Sequence, residues 1–225
     1  MPGRYKKIYN QGVYHVFNKT INDFPIFNYQ YNCELLIKTL RYYRSNKATL
    51  PLSRVNQLDE MQKDQLLNLV EMKKYFKIDL LAYTLMPNHY HFLILQLETN
   101  GISKFINDVF NSLTRHLNKL KDRKGSIFLS KFKVEPVKTD DSLKNVSRYI
   151  HINSVVGNII PSFNDLSDYP WSSYQEYITG KEILCNTKPV MSLFNFNSTS
   201  YKSFCRNQAE YKISLNQLNY TKGWH

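Results

Sequence analysis

Two apolar runs that meet at Met86-Pro87-Asn88 constrain the fold more than any other feature of this sequence. The first run, KIDLLAYTLMP, is strongly apolar and ends at Pro87. The second run, NHYHFLILQ, follows at once and begins with period-two alternation. Two such runs joined by a Pro-Asn turn are typical of a β-hairpin. We therefore expect a pair of antiparallel strands near the middle of the chain.

The segments on either side of this hairpin alternate between strand and helix patterns. Before it, residues 9–20 have the pattern of a strand and residues 28–44 have apolar residues at helical spacing. After it, the patterns predict a long amphipathic helix over 102–124, a strand over 127–138 and a helix over 140–155. The order βαββαβ is that of the split βαβ fold. The sequence therefore predicts an α+β, ferredoxin-like βαββαβ core, an antiparallel sheet with helices packed on it, followed by a C-terminal helix.

Single residues suggest where the later elements begin and end. We expect Gly101 to break the chain before the long helix and Gly125 to cap the end of that helix. Asp140 or Asp141 is expected to cap the start of the last core helix.

Two regions lie outside this core pattern. Residues of about 45–76 form an insertion, in which 45–57 resembles a loop and 58–76 returns to helical spacing. Residues 181–225 are polar and rich in Asn and Ser, with weak periodicity. We therefore expect one domain over 1–180 and a C-terminal extension of uncertain structure over 181–225.

The charge of the chain favours a polyanionic partner. Lys and Arg number 30 against 18 Asp and Glu, a net charge of +12, and the excess is concentrated in residues 1–50 and 102–138. Clustered basic charge attracts phosphate, and the 17 Tyr and 13 Phe include rings that can stack on unpaired bases. A basic protein with a Tyr-rich core is the competing interpretation.

Several classes of protein do not fit. No run approaches 18 uninterrupted apolar residues, so we expect no membrane-spanning helix and no membrane partner. The basic N-terminus lacks the apolar segment of a secretory signal. Cys33, Cys185 and Cys205 are odd in number and far apart, which disfavours a disulfide framework or a structural zinc site. This cysteine usage fits a reducing compartment, so we expect a cytoplasmic location.

The pentapeptide Asn88-His89-Tyr90-His91-Phe92 carries the first chemical signal. On a strand, residues i and i+2 point to the same face, which puts the backbones of His89 and His91 roughly 7 Å apart. Two neutral imidazoles can chelate one divalent metal. Two surface histidines on a polar strand face would give the same pattern.

The second signal is Arg148-Tyr149-Ile150-His151-Ile152-Asn153. On a helix, Tyr149 and Asn153 are separated by four residues and share a face. A phenol and an amide oxygen directed together can supply a nucleophile and a metal ligand. A core tyrosine followed by a helix-terminal asparagine is the structural alternative.

Taken together, these blocks resemble a known family. MPNHYHFLI, GSIFLSKFK, SRYIHIN and DYPWSSYQEY, with YHVFNKT near the N-terminus, are similar to the single-tyrosine HUH transposases, the IS200-like family. The resemblance is closest to the branch associated with repetitive extragenic palindromes and covers about residues 8–180. Asn153-Ser154 stands where that branch often has Asn-Pro.

The resemblance implies an enzyme that cuts and joins single-stranded DNA with the help of Mg²⁺ or Mn²⁺. It assigns the metal ligands to His89, His91 and Asn153. It makes Tyr149, on a catalytic C-terminal helix, the nucleophile that forms a 5′-phosphotyrosine. The implied partner is single-stranded or hairpin DNA, bound by a monomer or a homodimer.

Basic side chains on the long helix, after it and beside Tyr149 are candidates for contacts with the DNA backbone. Ordinary solvation is the alternative for each of them taken singly. They are Arg115, Lys119, Lys121, Arg123, Lys124, Lys131, Lys133 and Arg148.

Two other functions compete with the enzyme. A hairpin-binding DNA or RNA protein that has kept the fold without transposing would need neither the histidine pair nor the tyrosine. A sheet-based RNA-binding module of similar topology needs aromatic RNP sequences on its central strands. Here the corresponding strand carries His89 and His91 instead, which favours the enzyme.

Overall fold

The computed structural model of the chain describes residues 7–216 and contains one four-stranded sheet within them. The strands lie in the order β2-β3-β1-β4, and neighbouring strands are antiparallel. The strands are Val13–Lys19 (β1), Ile78–Met86 (β2), His89–Gln96 (β3) and Lys133–Val137 (β4). This strand order is that of the split βαβ arrangement, so the predicted α+β, ferredoxin-like class is confirmed.

Helices connect the strands and follow the last one. Helix α1 lies between β1 and β2, α4 lies between β3 and β4, and α5 follows β4. Within the described residues the α-helices are Gln30–Tyr43 (α1), Leu52–Val55 (α2), Glu60–Val70 (α3), Gly101–Leu120 (α4), Asp140–Val156 (α5), Tyr174–Thr179 (α6), Lys188–Met191 (α7) and Ser198–Asn216 (α8). No helix among residues 7–216 has the length and apolar character needed to cross a membrane.

The pairing of β1 with β3 fixes where the histidine strand begins. The backbone N–H of Gln96 donates to the carbonyl of Gly12 at 3.0 Å, and that of Thr20 donates to the carbonyl of Asn88 at 2.8 Å. The start of one strand therefore meets the end of the other, as an antiparallel pair requires. Asn88 consequently lies opposite the residue that follows β1.

Three boundary predictions were wrong. Gly101 is the first residue of α4 rather than a break before it, because its missing side chain lets the backbone approach the carbonyl of Lys77. Helix α4 ends at Leu120, and Gly125 adopts a positive φ in the turn beyond it. Thr139 caps α5 through a reciprocal capping box with Ser142.

The helix-capping expectation for the two aspartates also needs correction. Asp140 and Asp141 occupy the first turn of α5, where a carboxylate opposes the positive end of the helix dipole. The strand expected over 127–138 is shorter, since only Lys133–Val137 is extended and Phe128 makes an isolated bridge to Thr20.

Helices occupy parts of the two regions that lie outside the core pattern, the insertion and the C-terminal extension. The insertion at about 45–76 contains α2 and α3. The C-terminal extension contains α7 and α8, and Tyr201, Cys205 and Ala209 of α8 are fully buried at four-residue spacing. Polar residues surround these three positions and weaken the helical periodicity in the sequence.

The described chain divides into two compact units. The first unit comprises residues 7–79, 87–89 and 94–136, and α1 packs against α4 within it. The second unit comprises residues 80–86, 90–93 and 137–216. In the second unit α8 packs against both α5 and α6.

Candidate active site

Tyr149 and His91 contact each other in the second unit. Tyr149 lies near the middle of α5 and is half-buried, whereas His91 on β3 is only 2% exposed. Their ring centroids are 5.5 Å apart with an interplanar angle of 84°, an edge-to-face contact. The tyrosine of one predicted motif therefore lies against a histidine of the other, although 58 positions separate them in the sequence.

Asn153 follows Tyr149 by one helical turn. Its side-chain nitrogen is buried and makes no hydrogen bond within the described residues. An unsatisfied buried amide is costly, and the oxygen and nitrogen of an asparagine exchange places when the amide rotates. The amide can therefore present its oxygen at this buried position to a ligand.

Gly157 lets the end of α5 come close to β2. The glycine caps the helix, its N–H donating to the Asn153 carbonyl at 2.7 Å. A Cβ at this position would lie 2.7 Å from the Met86 side chain and 2.9 Å from that carbonyl. Any larger residue would therefore shift the helical turn that carries Asn153.

His89 is held by a chain of polar side chains in the first unit. The Asn88 amide nitrogen donates to the Asp23 carboxylate at 3.0 Å, so its oxygen faces Nδ1 of His89 at 2.6 Å. Because this oxygen can only accept, Nδ1 of His89 carries the proton. A histidine oriented in this way ligates a metal through Nε2.

Burial also keeps His89 neutral. Burial lowers the pKa of His89 to about 4, an effect that the nearby Asp23 carboxylate opposes and the Lys19 ammonium reinforces. At neutral pH the ring is therefore uncharged, which is the form that binds metals.

Taken one by one, the three predicted ligands carry donor groups that divalent cations bind. His89 is a neutral imidazole with a fixed tautomer, His91 is a second imidazole on the same strand, and Asn153 has an unsatisfied amide. Between residues 7 and 216, no group of three or more His, Cys, Asp and Glu side chains is placed to hold a metal ion. Imidazole suits the later divalent metals and amide oxygen suits Mg²⁺ and Mn²⁺.

A buried histidine cluster supports α5 from behind. His151 Nδ1 lies 2.7 Å from the Tyr201 hydroxyl on α8, and its Nε2 lies 2.8 Å from the Ser173 hydroxyl. The ring also contacts Tyr174 and Tyr177 of α6 edge-on, at centroid distances of 5.6 and 4.7 Å. Burial lowers the pKa of His151 to about 3, so this ring stays neutral and structural.

The DYPWSSYQEY block covers the outer edge of β2. Ser173 donates its N–H to the Tyr83 carbonyl at 3.0 Å, and Leu85 donates its N–H to Trp171 at 2.8 Å. The Tyr177 and Tyr169 hydroxyls donate to the carbonyls of Leu81 and Leu85 at 2.8 and 2.6 Å. These bonds pair backbone groups along an edge of the sheet that would otherwise be open.

The basic candidates fall into two groups. Seven belong to the first unit and are exposed: Arg115, Lys119, Lys121, Arg123, Lys124, Lys131 and Lys133. Arg148 differs, because its guanidinium stacks on Phe204 at 3.8 Å and donates to Asn145 at 2.5 Å. Burial lowers its pKa, and its intramolecular partners hold α5 against α8.

Sequence reasoning missed the residues that orient His89. Asn88 could have been found, because it directly precedes the histidine pair. Asp23 lies 65 positions upstream of Asn88, and nothing in its neighbourhood indicates a role. It reaches Asn88 because Asn22 and Asp23 both adopt positive φ, at 55° and 51°, in the turn after β1.

Two comparisons with known proteins found a match. Residues 48–153 match the family described as transposase IS200-like, a range that contains His89, His91, Tyr149 and Asn153. The structure of a REP-associated tyrosine transposase bound to a REP hairpin has a similar fold, with a TM-score of 0.54 and 14% sequence identity. The match covers 84% of this chain and 93% of that one. The chain matches no curated protein sequence.

Proposed function

We propose that this chain, whose residues 48–153 match the IS200-like transposase family, is a metal-dependent single-strand DNA endonuclease and strand transferase. The observation that carries the proposal is the edge-to-face contact between Tyr149 and His91. It joins the proposed nucleophile to the proposed metal-binding strand within one compact unit.

In the proposed reaction, the Tyr149 hydroxyl oxygen attacks the scissile phosphorus. A bond forms between this oxygen and phosphorus as the phosphorus–O3′ bond breaks, which leaves a 5′-phosphotyrosine and a free 3′-hydroxyl. The phenol loses its proton and the departing O3′ gains one. Because the bond energy is kept in the tyrosine ester, a 3′-hydroxyl can later reverse the step and rejoin strands without ATP.

A free phenol has a pKa of about 10 and is mostly protonated at neutral pH, so it needs activation. His89, His91 and Asn153 are the residues that would hold Mg²⁺ or Mn²⁺. The chemistry that this cation supplies when bound is charge stabilisation at the scissile phosphate. His91 additionally packs against the Tyr149 ring and restricts its orientation.

The proposed substrate is single-stranded or hairpin DNA. The related transposase structure contains a REP hairpin, and seven exposed cations of the first unit can contact phosphates. A nucleophile on a helix reaches a backbone phosphate more easily where no second strand covers it. Binding by these cations weakens steeply with salt, because it releases counterions.

The decisive experiment is the capture of the covalent adduct. Wild-type protein incubated with labelled hairpin DNA and Mn²⁺ should yield a slow protein–DNA band on a denaturing gel. Tyr149→Phe removes only the hydroxyl, so this variant should fold and bind DNA but give no adduct. Tyr169→Phe is the matched control, because it removes a hydroxyl that donates to the Leu85 carbonyl in the same unit.

The outcomes separate the enzyme from the alternative. An adduct with Tyr149→Phe would show that another residue is the nucleophile. If wild-type protein binds hairpins but gives no adduct with either metal, the chain is a hairpin-binding protein that retains the fold.

A further inference from the structure

Exposed apolar side chains gather where β1 ends and α4 ends in the first unit. Phe24 is 41% exposed and Tyr29 is 53% exposed, both in the segment between β1 and α1. Ile21, Leu120 and Leu129 nearby are also exposed. The backbone joins these segments, since Ile21 donates its N–H to Ile127 and Leu129 donates to Lys19, at 2.9 and 3.0 Å. Exposed apolar patches are common at sites of interaction.

Lys121 makes cation–π contacts with the rings of both Phe24 and Tyr29. The Lys121 ammonium lies 4.8 Å from the centre of the Tyr29 ring and 5.9 Å from that of Phe24. Arg123 and Lys124 follow in the same exposed turn. We call Phe24, Tyr29 and Lys121 the aromatic platform. It combines apolar faces with positive charge, the two features that unpaired nucleotides require.

The backbone beneath the platform is fixed. The Thr20 hydroxyl donates to the Phe24 carbonyl at 2.8 Å, and Phe27 donates its N–H to the Pro87 carbonyl at 2.9 Å. Asp23, directly before Phe24, accepts the hydrogen bond of Asn88 that orients His89. The platform is therefore rigidly joined to the turn that precedes the histidine strand, and binding would cost little conformational entropy.

We propose that the aromatic platform stacks unpaired bases of a single-stranded nucleic acid beside His89. This inference rests on the proposed function and adds to it a surface that selects single strands over duplex. In a duplex the base faces are already stacked on one another and cannot reach Phe24 or Tyr29.

A second copy of the chain is a poorer occupant of this surface. A symmetric interface would bring Lys121, Arg123 and Lys124 of both copies together in a protein of net charge +12. A phosphate backbone supplies the opposite charge to the same three side chains. Charge complementarity therefore favours nucleic acid.

The test uses binding alone, in a Tyr149→Phe background without added metal, so that cleavage does not interfere. The probe is a labelled single strand containing 2-aminopurine, whose fluorescence falls when it stacks. Phe24→Ala and Tyr29→Ala should each weaken binding about tenfold and reduce the quenching, as expected for the loss of one stacked base. Tyr29→Phe keeps the ring and should bind like the parent protein.

Tyr9→Ala is the matched control, because Tyr9 is 60% exposed and lies at the other end of β1. Affinity for a blunt duplex should be the same in all variants. Thermal melting checks that each variant is folded. Because both rings are exposed, we expect each substitution to leave the fold intact.

Each outcome has a distinct meaning. If the single strand binds the parent protein but Phe24→Ala and Tyr29→Ala bind it equally well, the platform is overturned and the proposed function stands. If these variants instead lower the oligomeric state without affecting the single strand, the patch joins copies of the chain. If the parent protein binds no single strand, the platform and the proposed function both fail.

Discussion

His89 in the first unit and His151 in the second are both kept neutral by burial, but they are held in different ways. His151 is fully buried, and hydroxyls of Tyr201 and Ser173 occupy both of its ring nitrogens. His89 is only partly buried, and an amide that is itself fixed by Asp23 holds its Nδ1. The first arrangement holds α5 against α6 and α8, and the second fixes which nitrogen of His89 carries the proton.

The comparison shows that a lowered histidine pKa does not identify a functional site. Burial lowers the pKa to about 3 for His151, about 4 for His89 and about 4 for His15. His151 and His89 differ in the groups that bond their ring nitrogens. Substituting His151 should therefore change mainly the free energy of unfolding. Substituting His89 should change mainly metal binding and DNA cleavage.

The largest expected effect is on cleavage. The double variant His89→Ala, His91→Ala should lose adduct formation entirely, because it removes both proposed imidazole ligands. It should keep most of its DNA affinity, since contacts of Lys and Arg with phosphate dominate binding. Adduct gels and fluorescence anisotropy measure the two properties, with His116→Ala as the control. Undiminished cleavage by the double variant would contradict the assignment of His89 and His91 as metal ligands.

The second effect is on stability. His151→Leu should lower the free energy of unfolding by about 3 kcal/mol, because buried hydroxyls of Ser173 and Tyr201 lose a hydrogen bond each. His116→Leu is the control, since His116 bonds to Tyr31 at a surface site and should cost much less. Chemical denaturation measures both variants. If His151→Leu lowered the free energy of unfolding no more than His116→Leu does, the structural role of His151 would be contradicted.

The stability deficit of His151→Leu should depend on pH. The pKa of His151 falls from its ordinary 6.5 to about 3 on folding, so between these values the unfolded chain binds a proton that the folded chain refuses. Wild-type stability therefore decreases as the pH falls below 6.5, by up to about 1.4 kcal/mol per pH unit from this group. His151→Leu lacks this contribution, so its stability deficit should shrink toward acid pH.

The smallest effect concerns the orientation of His89. Asp23→Gly keeps the positive-φ backbone but removes the carboxylate that fixes Asn88, and should weaken Mn²⁺ binding about tenfold. Asp23→Asn retains an acceptor for Asn88 and should restore binding. Asp122→Gly is the matched control, because Asp122 also has a positive φ, at 43°. Electron paramagnetic resonance of free Mn²⁺ reports the affinity, and equal values for Asp23→Gly and wild type would refute the positioning role.

Much of the fold followed from the pattern of apolar residues. The hairpin around Pro87, strand β1 and helices α1, α4 and α5 were predicted with the correct type and order. The errors fell at boundaries such as Gly101 and Thr139, where a close backbone contact or a capping hydroxyl decided the position. Helix α8 was missed because polar residues separate its buried positions Tyr201, Cys205 and Ala209 and weaken the periodicity of the segment.

For the candidate site, the sequence alone determined which residues share a strand or a helix. Period two pairs His89 with His91 and the helical turn pairs Tyr149 with Asn153, because local geometry fixes both spacings. Only the tertiary structure decided that Tyr149 packs on His91 and that Asp23 reaches Asn88. These contacts join residues 58 and 65 positions apart, and the packing of the whole chain, rather than any local periodicity, sets which distant side chains meet.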